Sequence, residues 1–146
     1  MPTLADFPAK GKVIEVRNGP QGPQIVFAPT NTTYHLYLAG TYTGPLKTPI
    51  EILIRATGRK LWTVPNGGNF IAPISGTPRT IQGRVRLIEG QTIVVQAGVP
   101  VAITLPSNDS GVDLNNGALG VGSQVNVMVM PGVSFEIAPA VAASSV

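Results

Sequence analysis

No cysteine occurs among the 146 residues. That excludes disulfide frameworks, thiolate metal sites and cysteine nucleophiles. His35 is the one histidine, so a multi-histidine metal centre within one chain is excluded as well. Charged residues make up 12%, about half the roughly 25% usual for a soluble domain. Aromatic residues make up 5%. No apolar run reaches the roughly 18 residues of a membrane-spanning helix without charges or breakers. Residues 1–8 carry no basic segment followed by an apolar stretch, so no Sec-type signal peptide is expected. Helical periodicity is nearly absent: apolar spacing of three and four residues is interrupted throughout by glycine and proline.

Those two residue types are abundant, with 17 Gly and 14 Pro, alongside 43% hydrophobic residues. Short β-branched runs recur between turn residues and predict an all-β chain. Strands are expected at residues 11–17, 24–28, 33–39, 50–56, 60–64, 80–89, 91–97, 101–105, 124–130 and 133–138. Val125, Val127 and Val129 alternate with Asn126, Met128 and Met130, which puts one set of side chains on the core face. Asn18-Gly19, Thr57-Gly58, Asn66-Gly67, Glu89-Gly90 and Pro131-Gly132 supply turn chemistry.

An internal repeat organises these strands. Gly11–Gly19 (GKVIEVRNG) resembles Gly83–Gly90 (GRVRLIEG). Two strands and a loop follow in each half. A hairpin then closes each half, with Thr57-Gly58 at one tip and Pro131-Gly132 at the other. The offset between halves is 72 residues at the first strand and 74 at the last turn. The expected architecture is two tandem five-stranded barrels of OB or SH3-like type, with a single β-sandwich as the alternative. The expected division is an N-terminal arm (1–9), a first module (10–64), a linker (65–79), a second module (80–138) and a C-terminal tail (139–146).

Net charge is +3, but its distribution is uneven. All ten Lys and Arg lie in residues 1–86, which carry +7; residues 87–146 carry −4. Such sorting suggests attraction between copies, or a polarised molecule at an anionic surface.

Catalytic chemistry finds little material. His35 sits in a strand-like run, and no nucleophile elbow occurs. The seven acids are mostly isolated. Asp109 and Asp113 lie in an oxygen-rich loop at 107–117, but its spacing is not that of an EF-hand. No phosphate-binding glycine loop is present. No enzyme activity, cofactor or metal is expected.

Structural or assembly work fits best: a module that packs on copies of itself or on a larger lattice. The composition resembles that of viral capsid-decoration and other accessory particle proteins. That resemblance implies a virion or other particle surface as the location; otherwise the protein is cytoplasmic. In such an interface Trp62 and Phe70 are candidate anchors. Arg79, Arg84 and Arg86 would face Glu89, Asp109 or Glu136 of a neighbour. The first alternative is single-stranded nucleic acid, bound by Arg55, Arg59, Lys60 and Trp62 on the hairpin at 50–64. The second is a carbohydrate-binding β module.

Overall fold

The computed structural model describes residues 3–20, 22–65, 67–105, 112–113 and 119–138. The expected all-β class is what the chain adopts. A single 3₁₀ turn (Leu4–Asp6) comes first, and no α-helix occurs among the described residues. Twelve strands follow among the described residues, joined in one mixed sheet.

The first group is β1 (Ala9–Gly19), β2 (Gly22–Pro29), β3 (His35–Ala39) and β4 (Pro49–Thr63). The short strands β5 (Phe70–Ala72) and β6 (Ser75–Gly76) lie in the segment expected to be a linker. The remainder are β7 (Thr80–Glu89), β8 (Thr92–Gln96), β9 (Pro100–Thr104), β10 (Val112–Asp113), β11 (Gln124–Val129) and β12 (Ser134–Ile137).

The hydrogen-bonded neighbours trace two circuits. β1 pairs with β2, β2 with β3, β3 with β12, and β12 with β4 over Ile52–Arg55. β4 then returns to β1 over Pro49–Ile52. The second circuit runs from β7 to β8, β8 to β9, and β9 to β4 over Arg55–Thr57. It returns through β4 and β11 over Gly58–Thr63, and then β11 to β7. β4 therefore belongs to both circuits: its first half to one and its second half to the other.

This corrects the expected hairpins. Residues 50–64 do not fold back at Thr57-Gly58 but run on as one strand of 15 residues. A two-residue hairpin turn of the common type needs positive φ at both central positions, which a β-branched Thr resists. Gly58 instead serves close approach by β9, since a Cβ there would lie 3.3 Å from Ile103 Cγ2. At the other site Gly132 does take φ +88°, yet β12 pairs with β3 and β4 rather than with β11.

The two circuits share their irregularities. β1 and β2 slip register between Val13 and Glu15; β7 and β8 slip between Val85 and Leu87. The skipped residues, Ile14 and Arg86, are 72 positions apart, like Gly11 and Gly83. A Cβ on Gly11 would strike the Ala28 carbonyl, and one on Gly83 the Gln96 carbonyl. The inner faces merge into one core that includes Phe27, Leu36, Ile52, Ile81, Ile103 and Val127. Each such burial is worth about 1.5–3 kcal/mol before ordering costs.

Candidate binding groove

The outer face of β2 and β3 carries Gln24, Tyr37 and Ala39. Opposite them stand Met128 and the turn Pro131–Val133, and the space between is a cavity of about 510 Å³. Arg59 and Arg79 line it from two different parts of the chain. A second cavity of about 490 Å³ shares Tyr37, Thr77 and Arg79 with the first and extends past Ala72 and Thr80. The two form one groove. Among the described residues, no acid lines either part.

Local structure explains how Arg59 and Arg79 arrive there. Arg59 occupies a register shift of β4 against β11, between Gly58 and Lys60. Arg79 precedes β7, and its backbone is fixed on both sides: its N–H donates to the Ala72 carbonyl, and its carbonyl accepts from the Val129 N–H. Among the described residues, neither guanidinium has a hydrogen-bond or ion-pair partner. At the rim, Arg17 Cζ stands 5.0 Å from the Tyr37 ring centroid, within the range of a cation–π contact.

The groove opens onto the outer face of the second circuit. Across that face the register aligns Phe70 with Gln82, Gln82 with Asn126, and Asn126 with Trp62. Residues directly opposite in paired strands project to the same side, so these four form one row. Asn126 Nδ2 donates to Gln82 Oε1 at 2.8 Å, and Gln82 Nε2 donates to the Gly68 carbonyl at 2.9 Å. Gln124, one layer along β11 and 6% exposed, donates to the Gly68 carbonyl and to Asn69 Oδ1. On the opposite side of the row, Thr80, Met128 and Lys60 align as the next layer. Thr80 and Met128 also line the groove, so row and groove are continuous.

The structure takes one residue, Arg55, out of the expected nucleic-acid cluster and leaves the other three on adjoining surfaces. Arg55 turns to Glu136. Arg59 enters the groove, while Lys60 and Trp62 face the row. The expected interface residues separate. Arg84 Nη1 donates to the Gly122 carbonyl at 3.0 Å. Arg86 Nη1 donates to Gln96 Oε1 at 3.4 Å, and its Cζ lies 5.4 Å from the Phe7 ring centroid. Glu136 is engaged by Arg55, so three members of the charged set have partners within the chain. Glu89 is exposed at the end of β7, and Asp109 lies outside the described residues. Phe70 and Trp62 do fall in one row, which the backbone position of Asp113 on β10 extends beyond Trp62. Composition gave no sign of that row, because it depends on the pairing of β5, β7, β11 and β4.

His35 is exposed at the start of β3. Among the described residues, no three His, Asp or Glu converge on a metal position. The loop considered for calcium, 107–117, lies outside the described residues except for Val112 and Asp113. No described helix is long and apolar enough to cross a membrane. No family model matches this sequence, and no curated protein or solved structure is significantly similar to it.

Proposed function

We propose that this is a non-enzymatic binding protein whose groove takes a linear polyanion. One observation carries the reading: Arg59 and Arg79 line a single cavity in which, among the described residues, there is no acid and no partner for either guanidinium group. Exposed guanidinium groups without an internal partner, held over a concave surface, suit repeated anionic groups. The Arg17–Tyr37 contact adds a further cation at the rim. The scaffold we propose is a pair of small five-stranded barrels, descended from an internal duplication, that have exchanged their last strands. The common offset of the register slips and of the two tight glycines supports this origin.

The test is binding of labelled inorganic polyphosphate and of a labelled single-stranded oligonucleotide at low ionic strength. Binding should weaken steeply as salt rises, and R59A/R79A should flatten that slope. Absence of binding to either probe at micromolar protein overturns the reading.

A second reading is attachment to a larger lattice or to further copies of the chain. Ile74, Val121 and Ile137, at 59%, 68% and 56% exposed, favour it. Mass photometry that shows only monomer, followed by light scattering that shows only monomer at high concentration, overturns self-assembly.

A further inference from the structure

We infer that the polyanion is single-stranded nucleic acid, with Phe70 and Trp62 as stacking positions for its bases. This rests on the polyanion reading and adds the chemistry of the ligand's uncharged part. Anion charge alone does not distinguish a nucleic acid from a polyphosphate or an acidic peptide. What distinguishes them is what lies beside the cations.

Beside these cations lies the row Phe70–Gln82–Asn126–Trp62. Its two rings are separated by three strand spacings, about 14 Å at about 4.8 Å each. Phe70 is 36% exposed and Trp62 half-buried. The amides between them are bonded to one another and to the Gly68 carbonyl, which makes a fixed polar floor. Cations flank the row on both sides, while at its Trp62 end the register aligns one acid, Asp113. Lys60 stands one layer from Trp62, towards the groove with Arg59 and Arg79. Arg84, exposed and aligned with Gln124, stands one layer away in the opposite direction. A layer is two residues of strand, about 7 Å. Charges on either side of aromatic rings match a chain that carries a phosphate and a flat base in every unit. A duplex hides its base faces, so the row selects an unpaired strand. Stacking on a ring tolerates any base, so little sequence preference is expected.

The sequence contains one tryptophan, so intrinsic tryptophan fluorescence reports on Trp62 alone. The full chain is titrated with oligothymidylate, with the corresponding duplex and with inorganic polyphosphate. Oligothymidylate should bind and quench Trp62, polyphosphate should bind without quenching, and the duplex should bind more weakly than the single strand. Phe70→Ala lies on a short edge strand, and its fold is checked by thermal melting. It should weaken oligothymidylate binding about tenfold or more and leave polyphosphate binding unchanged. Oligothymidylate binding with no quenching and no loss in Phe70→Ala overturns the stacking role while the polyanion reading stands. Preference for the duplex, or binding of neutral oligosaccharides in its place, also overturns it. Failure of every anionic probe overturns the polyanion reading itself.

Discussion

Arg55 Nη2 lies 3.2 Å from Glu136 Oε1, and the pair joins residues 81 positions apart in sequence. Arg55 is opposite Ser134 on β12, and Glu136 is the diagonal neighbour two residues on. A base from the cationic part of the chain thus meets an acid from the anionic part inside one molecule. The sorting of charge along the sequence is partly undone by the fold. Both side chains are substantially exposed, so the pair is a modest stabiliser. A double-mutant cycle with R55A and E136A should give a coupling of about 0.2–1 kcal/mol. Raising salt should shrink that coupling, as read from urea unfolding.

Gly83 is packed against the Gln96 carbonyl, whereas Gly68 has open space where a Cβ would go. Gly83→Ala should therefore destabilise the protein by about 1–3 kcal/mol through overpacking. Gly68→Ala should stay within about 0.5 kcal/mol of the parent. Gly11→Ala should behave like Gly83→Ala, because the Ala28 carbonyl stands in the equivalent place. Thermal melts of the three variants decide this.

Gln124 holds the segment 67–69 through its single amide nitrogen. Gln124→Ala should cost about 1–2 kcal/mol, the usual range when a buried hydrogen-bonded side chain is deleted. The freed segment leads directly into Phe70. Hydrogen exchange at Phe70 and Ile71 should therefore speed up more than exchange in β8 or β9.

The pairing of β4 with both circuits makes a prediction about fragments. A fragment of residues 1–65 lacks β12 and leaves the second half of β4 without β9 and β11. It should lack a cooperative unfolding transition on its own. Mixing it with a fragment of residues 66–146 should restore a cooperative unit, visible as recovered near-ultraviolet dichroism. An independently folded 1–65 fragment with a sharp melt would contradict the pairing of β4 with both circuits.

Much of the fold was legible. Alternation at 124–130 and β-branching at 80–89 located β11 and β7, and Gly11 and Gly83 marked matching strands. The fate of residues 50–64 was not legible, because Thr57-Gly58 has the local chemistry of a turn. The deciding contact, β9 running parallel beside Arg55–Thr57, comes from residues more than forty positions away. Likewise β5, β6 and β10 are only two or three residues long and owe their form to the strands they border rather than to their own propensity. The groove was half legible. Arg59 and Arg79 each stand out in the sequence, but for different partners, and Tyr37 and Arg17 take their place only through the alignment of β1, β2 and β3.

The double membership of β4 also orders events in time. On the ribosome, β1, β2 and β3 can pair early, and the first half of β4 can join β1. Among the described residues only β12 bridges β3 and β4, so their junction stays open until residues 134–137 have been made, although β6 already covers the His35–Leu36 end of β3. The early part of the chain therefore waits, with the edges of β3 and β4 incompletely paired, for a segment synthesised about 85 residues after β4 begins. Long-range closure of this kind slows folding, and the waiting edges invite pairing with other nascent chains. Chaperone binding to the nascent chain should therefore peak late in its synthesis, and misassembly should rise when several ribosomes crowd one message.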